Sequence, residues 1–354
     1  MNQNTPLSPR PLRHLSEVQR RVLTTAELRA HGVTAAEAAE HARPQGPWQE
    51  FLPGVYLLHQ GPPTAEERLH AVLLYASRAP LPAPATGVPP QPGPNGPHTR
   101  LRYPDAMITG LSALTLHGFA CTPTLAALNQ VDVLVPRSRR VRSTGCARVI
   151  RTSALPAPAA VAGLAVAPVP RALADAVAQL PDADAVRQLL TEAVRVGHCE
   201  PAAAVRELNR ARLLSRPHVV DAVDSLLAEG RAIAENRLYR MVREYGLPVP
   251  FWNVDLRIPC GPHLGGVDAY WPEQAVAMEL DTRAPRPGGR PDDDVLGAEY
   301  ARKRELLERL GITVVHITPK KLRDSPEQQA AVVRTALMGS VDREPAAQVT
   351  VVPR

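Results

Sequence analysis

Lysine is nearly missing from this chain. Of 354 residues 41 are basic, yet only Lys303, Lys320 and Lys321 are lysines and the rest are arginine. GC-rich codon usage is the plain cause of such a bias, but it makes the position of each lysine informative. Aromatic residues are scarce at 4%, and alanine swells the 44% hydrophobic content. Cysteine is sparse too. Cys121, Cys146, Cys199 and Cys260 lie far apart, with no CxxC pair and no histidine at zinc-ligand spacing. That spacing excludes a disulfide frame and a zinc site, and reads as reduced thiols of a cytosolic protein. No apolar core follows the opening MNQNTPLSPRPLRHL, so no signal peptide is expected. The most apolar stretch, 155–169, is broken by prolines and too short to span a bilayer. The expectation is a soluble, cytoplasmic protein with no membrane partner and no organic cofactor.

What is present is length and positive charge. A chain of 354 residues holds two or three domains. A net charge of +6 makes nucleic acid a plausible partner without establishing one.

After a tail at 1–15, expected to be disordered, residues 16–78 read as a winged-helix module. TTAE and TAAE, beginning at Thr24 and at Thr34 respectively, carry the capping-box spacing that satisfies orphan N–H groups at a helix start. WQEFLPGVYLLH then gives two short strands around Pro53-Gly54, and 64–77 is an amphipathic helix. Such a module can set its second helix in a DNA major groove. That helix, TAAEAAEHA, carries two glutamates and no arginine, so protein contact or dimerisation stays open beside DNA binding. Residues 79–103 form a proline-rich loop or linker.

A mixed α/β region follows at 104–212. AMITGLSALTLHGF reads as a helix, NQVDVLVP and CARVIRT as strands joined by a charged hairpin, and 170–212 as two or three amphipathic helices. Arg137, Arg139, Arg140, Arg142, Arg148 and Arg151 fall here with no acid between them. The run suits a phosphate backbone, and equally a solvated sheet edge guarded against aggregation.

From 217 to 340 the pattern is α-β-β-β-α-β-α, with 341–354 left as a tail. A long helix at 217–245 precedes VPFWNVDLRI, GGVDAYW and AVAMELD, an antiparallel meander. Then come a helix at 294–310, the strand ITVVHIT and a last helix. Alternation sends Val276, Met278 and Leu280 to one face of the third strand and Ala275, Ala277, Glu279 and Asp281 to the other. Asp268 joins them across the Pro272 turn. Carboxylates at this density raise one another's pKa unless a cation intervenes, and hard oxygen donors suit Mg²⁺ or Mn²⁺. Glu235, on the preceding helix, is a further candidate ligand.

Two resemblances add to this reading. The N-terminal module with ITGLSALTLHGF, VDVLVP and RALADAV resembles the AbiEi-type antitoxins and transcriptional regulators of type IV toxin–antitoxin systems, over roughly 16–212. That resemblance implies DNA binding through the winged helix and a nucleotidyltransferase-like toxin as partner. The ordered set Glu235, GLPVP, GGVDAYWP, MELD, ARKRELLERLG and ITVVHITPKKL resembles the PD-(D/E)xK nucleases, in the branch of the very-short-patch-repair endonucleases, over 217–340. It implies a restriction-endonuclease-like α-β-β-β-α-β domain that hydrolyses DNA phosphodiesters. Asp268 and Glu279 would be metal ligands with Glu235 as auxiliary, and Asp281 a support. The superfamily places a lysine two residues after the glutamate, where this chain has Asp281. Lys303, on the following helix, is the candidate to take that role. Lys320 and Lys321, with Arg137, Arg139, Arg140 and Arg142, are candidate nucleic-acid contacts. The other reading is a non-catalytic regulator or antitoxin carrying a degenerate nuclease fold; oligomeric state stays open.

Overall fold

The computed structural model describes residues 18, 21–77, 103, 105–259, 261, 263–281, 301–339 and 349–353. The 1–15 tail, nearly all of the proline-rich 79–103, Cys260, the start of the 294–310 helix and 341–348 lie outside them. The chain is mixed α+β and divides into two compact units. One is Met1–Glu192 with Ala211–Leu213, the other Ala193–Arg210 with Leu214–Arg354. No helix among the described residues is long and apolar enough to cross a membrane.

The first unit opens with β1 (Val22–Thr24), α1 (Thr25–Ala30), α2 (Ala35–His41), β2 (Gln49–Leu52) and β3 (Val55–Leu57). The strands form an antiparallel sheet in the order β1-β3-β2. Both capping boxes form: Thr24 and Glu27 start α1, and Thr34 and Glu37 start α2. Thr64 and Glu67 start α3 (Ala65–Ala76) in the same way. Leu28, Ala38 and Tyr56 close a small core between the helices and the sheet.

Next come β4 (Met107–Thr109), α4 (Gly110–Leu116), β5 (Val131–Pro136), β6 (Ala147–Thr152), β7 (Ala159–Val161) and β8 (Leu164–Val166), in the sheet order β6-β5-β4-β8-β7. The helices α5 (Val169–Gln179) and α6 (Ala183–Arg195) follow. Two expectations are corrected here. Residues 107–109 are a strand, not the first turn of a helix, because all three are buried and pair with β5. The arginine-rich segment is no hairpin. β5 and β6 run parallel, Val131 opposite Ala147, because loop 137–146 carries the chain back along the strand.

A buried histidine makes this unit acid-sensitive. His70, on α3, is fully buried; its Nδ1 meets the Tyr103 hydroxyl and its Nε2 has no hydrogen-bond partner among the described residues. Burial pushes its pKa down to about 4. The unfolded chain, with an ordinary histidine, binds the proton first, so stability is complete above pH ~6.5 and declines as pH falls toward 4. The expected loss is roughly 3 kcal/mol at pH 4, and His70→Leu should abolish that sensitivity. Denaturant melts at several pH values decide it; equal pH slopes for both proteins would sink the claim.

The second unit holds α7 (Pro201–Arg210), α8 (Pro217–Glu244), β9 (Phe251–Arg257), β10 (His263–Trp271), β11 (Val276–Leu280), α9 (301–309), β12 (Thr313–Ile317), α10 (Pro319–Asp324), α11 (Pro326–Gly339) and β13 (Thr350–Pro353). Its sheet order is β12-β11-β10-β9-β13. β9, β10 and β11 form the antiparallel meander, and β12 adds parallel to β11. β13, in the segment read from sequence as tail, pairs antiparallel with β9. Both faces of the sheet are covered. Val276, Met278 and Leu280 pack with Leu238 and Met241 of α8 and with α11, while Ala275 and Ala277 pack with Leu307 of α9. The face expected to leave room for a ligand is therefore largely filled by α9.

Candidate active site

The register sets the acids side by side. Ala269 pairs with Met278, so Asp268 and Glu279 follow one step beyond on adjacent strands. Parallel pairing places His316 of β12 beside Glu279. Both carboxylates are nearly buried, at 8% exposure each, so each needs a partner.

The helices that cover the two faces supply those partners. From α8, Arg231 gives Nη2 to Asp268 Oδ1 at 2.6 Å and Nε to Glu235 Oε1 at 2.8 Å. The backbone N–H of Leu280 donates to Asp268 Oδ2 at 2.7 Å. From α9, Lys303 donates through Nζ to Glu279 Oε1 and to the Gly266 carbonyl, the latter at 2.6 Å. His316 Nδ1 lies 3.5 Å from Glu279 Oε2. Burial raises the Asp268 pKa above the carboxylate range; the Leu280 N–H and Arg231 oppose this, while Glu235 and Glu279 add to it. Asp268 thus feels the charge of both other acids.

Lys303 reaches Glu279 because β10 bends. Its pairing with β9 shifts register between His263 and Gly265, and Gly265 has φ +102°. A Cβ there would stand 2.9 Å from Lys303 Cε and 3.2 Å from Cδ. Glycine at 265 both permits the backbone and clears the path of the lysine stem.

The other expected residues are placed differently. Asp281 follows β11, and its N–H donates to Ile317 O at 2.9 Å. Lys320 and Lys321 are exposed on α10. In the first unit Arg137, Arg140 and Arg142 are exposed on the loop between β5 and β6. Arg139 is engaged internally, with Nη2 at 2.8 Å from both Ala76 O and Ser77 O. Arg148 holds the buried Asp132, its Nη2 at 2.7 Å from Oδ2.

Three contributors escaped the sequence reading: Arg231, His316 and Gly265. Signals for each exist in hindsight. Arg231 sits four residues before Glu235, a helical ion-pair spacing. His316 is the polar residue of an apolar strand, and the Gly265-Gly266 pair marks a bulge.

Among the described residues no three His, Cys, Asp or Glu side chains converge to hold an ion on their own. The donors still suit Mg²⁺, which binds through one or two carboxylates with substrate phosphate and water completing its octahedron. Asp268 and Glu279 would hold it; Glu235, tied to Arg231, stands a step further out. No protein-family model and no curated protein matches the chain, so geometry alone carries the reading that follows.

Proposed function

We propose that the second unit is a metal-dependent phosphodiesterase acting on DNA, of the PD-(D/E)xK kind. The observation that carries this is the reach of Lys303 from α9 to Glu279, beside Asp268 on the neighbouring strand. An aspartate, a glutamate and a lysine meet at one strand end, although Asp281 occupies the usual lysine position. The α-β-β-β-α-β order, with β12 parallel to β11, supports the same fold.

Asp268 and Glu279 would hold a divalent ion, which would supply Lewis acidity toward the phosphate and lower the pKa of water at the site. The ammonium of Lys303 orients the attacking water against Glu279 and stabilises charge growing on the phosphate. Arg231 bridges Asp268 and Glu235 and offsets the repulsion between them. The sheet and its covering helices keep the carboxylates out of bulk water, which strengthens each of these contacts.

In this reading the first unit is a winged-helix, AbiEi-like DNA-binding region. The exposed Arg137, Arg140 and Arg142 support it, as does the net charge of +6. On α2 neither glutamate stands as a bare charge. Glu37 closes the capping box, and Glu40 pairs with Arg43 at 2.8 Å.

One observation favours a second reading. Asp268, Glu279 and Glu235 all have cationic side-chain partners, as a nuclease fold that has lost catalysis would. That protein would be a regulator or antitoxin, with a nucleotidyltransferase-like toxin as partner. Incubation with plasmid and mismatched duplexes in Mg²⁺ or Mn²⁺, alongside Glu279→Ala and Asp268→Ala, separates the two. Cleavage by the wild type and its loss in both variants is expected. Cleavage that survives both substitutions removes the site, and no cleavage on any substrate favours the regulator.

A further inference from the structure

Cations outnumber acids where α8 meets α10. Arg237 and Arg240 lie one turn apart on α8, beside Leu238 and Met241, which are buried in the core. Leu322 of α10 enters the same core, with Lys320 and Arg323 near it in sequence. Two helices that share an apolar seam thus bring their basic residues to a common rim.

Two acids, Glu200 and Asp324, reach that rim, and Arg323 engages both. Its Nη1 pairs with Glu200 Oε1, and its Nε donates to Asp324 Oδ1 at 2.9 Å. Arg237 is left half-buried, with neither a hydrogen bond nor an ion pair among the described residues. Burial, then the charge of Arg323, lowers its pKa from the usual arginine range; Glu200 opposes this, Arg240 adds to it and Asp324 opposes it weakly. The two acids thus reach Arg237 by charge alone, without a direct pair. Arg240, exposed, acts on it by charge, and Lys320, also exposed, acts on Asp324. Among the described residues the rim thus carries four cations and two acids, and the direct ion pairs of both acids are with Arg323.

A partly desolvated guanidinium crowded by like charges gains most from an anion that it can grip with two N–H groups. We propose that the rim of Arg237, Arg240, Lys320 and Arg323 is a phosphate-binding site for the nucleic-acid backbone, separate from the carboxylate site. The proposal rests on the nucleic-acid reading above and deepens it. On α8, Arg237 and Arg240 stand about two turns beyond Arg231, the residue that touches Asp268, and on a different side of the helix, so the rim is a second contact apart from the carboxylates.

The test uses the full chain in EDTA, so that binding is read without cleavage. Anisotropy of a short labelled DNA duplex gives the slope of log affinity against log salt for the wild type and for Arg237→Gln/Arg240→Gln. Each lost phosphate contact lowers the slope by about 0.9, so the double variant should lose about 2. A control, Arg304→Gln/Arg309→Gln, removes two charges from α9 that already face Glu308 and Glu305. Its slope should match the wild type. Equal slopes for wild type and the Arg237/Arg240 variant overturn the site and leave the nucleic-acid reading standing. A control that falls as far as the variant overturns it too, as a general charge effect. Pyrophosphate supplies an independent probe: it should raise the melting temperature of the wild type but not of the variant. If the wild type neither binds duplex nor responds to pyrophosphate, the site and the nucleic-acid reading fall together.

Discussion

In the proposed nuclease, Lys303→Met should lower the rate of DNA cleavage by about 10²- to 10³-fold, the usual cost of removing one charged donor from a preorganised site. DNA affinity in EDTA should stay within about twofold, because one ammonium beside Glu279 is no backbone contact. Gly265→Ala is expected to reproduce the defect without touching the lysine. Its Cβ would meet Lys303 Cε at 2.9 Å, and φ +102° strains any residue with a side chain. The lysine tip, being flexible, moves aside, and the Glu279 contact is lost. On the Lys303→Met background Gly265→Ala should therefore slow cleavage little further, since both changes remove one interaction. A third variant tests the exchange of positions. Asp281→Lys on the Lys303→Met background restores a lysine at the strand position that the superfamily uses, and should recover about tenfold of the loss. Wild-type rates in Lys303→Met would end the claim that this lysine serves the site. Additive losses in the double variant would show that Gly265 acts through the backbone alone.

The order of elements from α8 to β12 was legible because alternation and turn residues mark short strands well, whereas the split of the last helix into α10 and α11 and the closing strand β13 were not. Val276, Met278 and Leu280 went to the core as their spacing requires. What alternation could not show is that the opposite face would be buried too. Ala275 and Ala277 look like room for a ligand until Leu307 packs on them. The same limit hid Arg231 and His316. A one-dimensional pattern locates acids on a strand, but their cations arrive from a helix and a strand distant in sequence. Lys303 could be singled out from sequence only because lysine is so rare in this chain; its contact with Glu279 is what the fold adds. In the first unit, the strands around the arginine run were visible but their direction was not. A connection of this length suits a hairpin by default, and the parallel return is a property of the tertiary pairing.

Arg148 shows what that misreading concealed, and it yields the second large effect. In sequence it is one of six arginines suited to a phosphate backbone. In the fold Arg148 and the buried Asp132 form a forked pair, and the arginine also donates to Gln179 at 3.2 Å. Burial lifts the Asp132 pKa even against the pull of Arg148, and Asp175 nearby lifts it further. Gly110, φ +61°, lies so close that a Cβ there would stand 2.2 Å from Asp132 Oδ2, so the carboxylate fills space that only glycine leaves open. Removing the partner of a buried charge costs about 3–5 kcal/mol. Arg148 keeps 33% of its side chain exposed, so water softens the loss and the low end, about 3 kcal/mol, is expected. In hydrogen exchange, Arg148→Met should speed the amides of β5 by roughly 100-fold. Asp132→Leu/Arg148→Met should return most of that protection, since an apolar pair leaves no charge to orphan. The salt dependence of DNA binding separates the two roles of this arginine. A structural Arg148 leaves the slope unchanged in that double variant, whereas a phosphate contact would lower it by about 0.9.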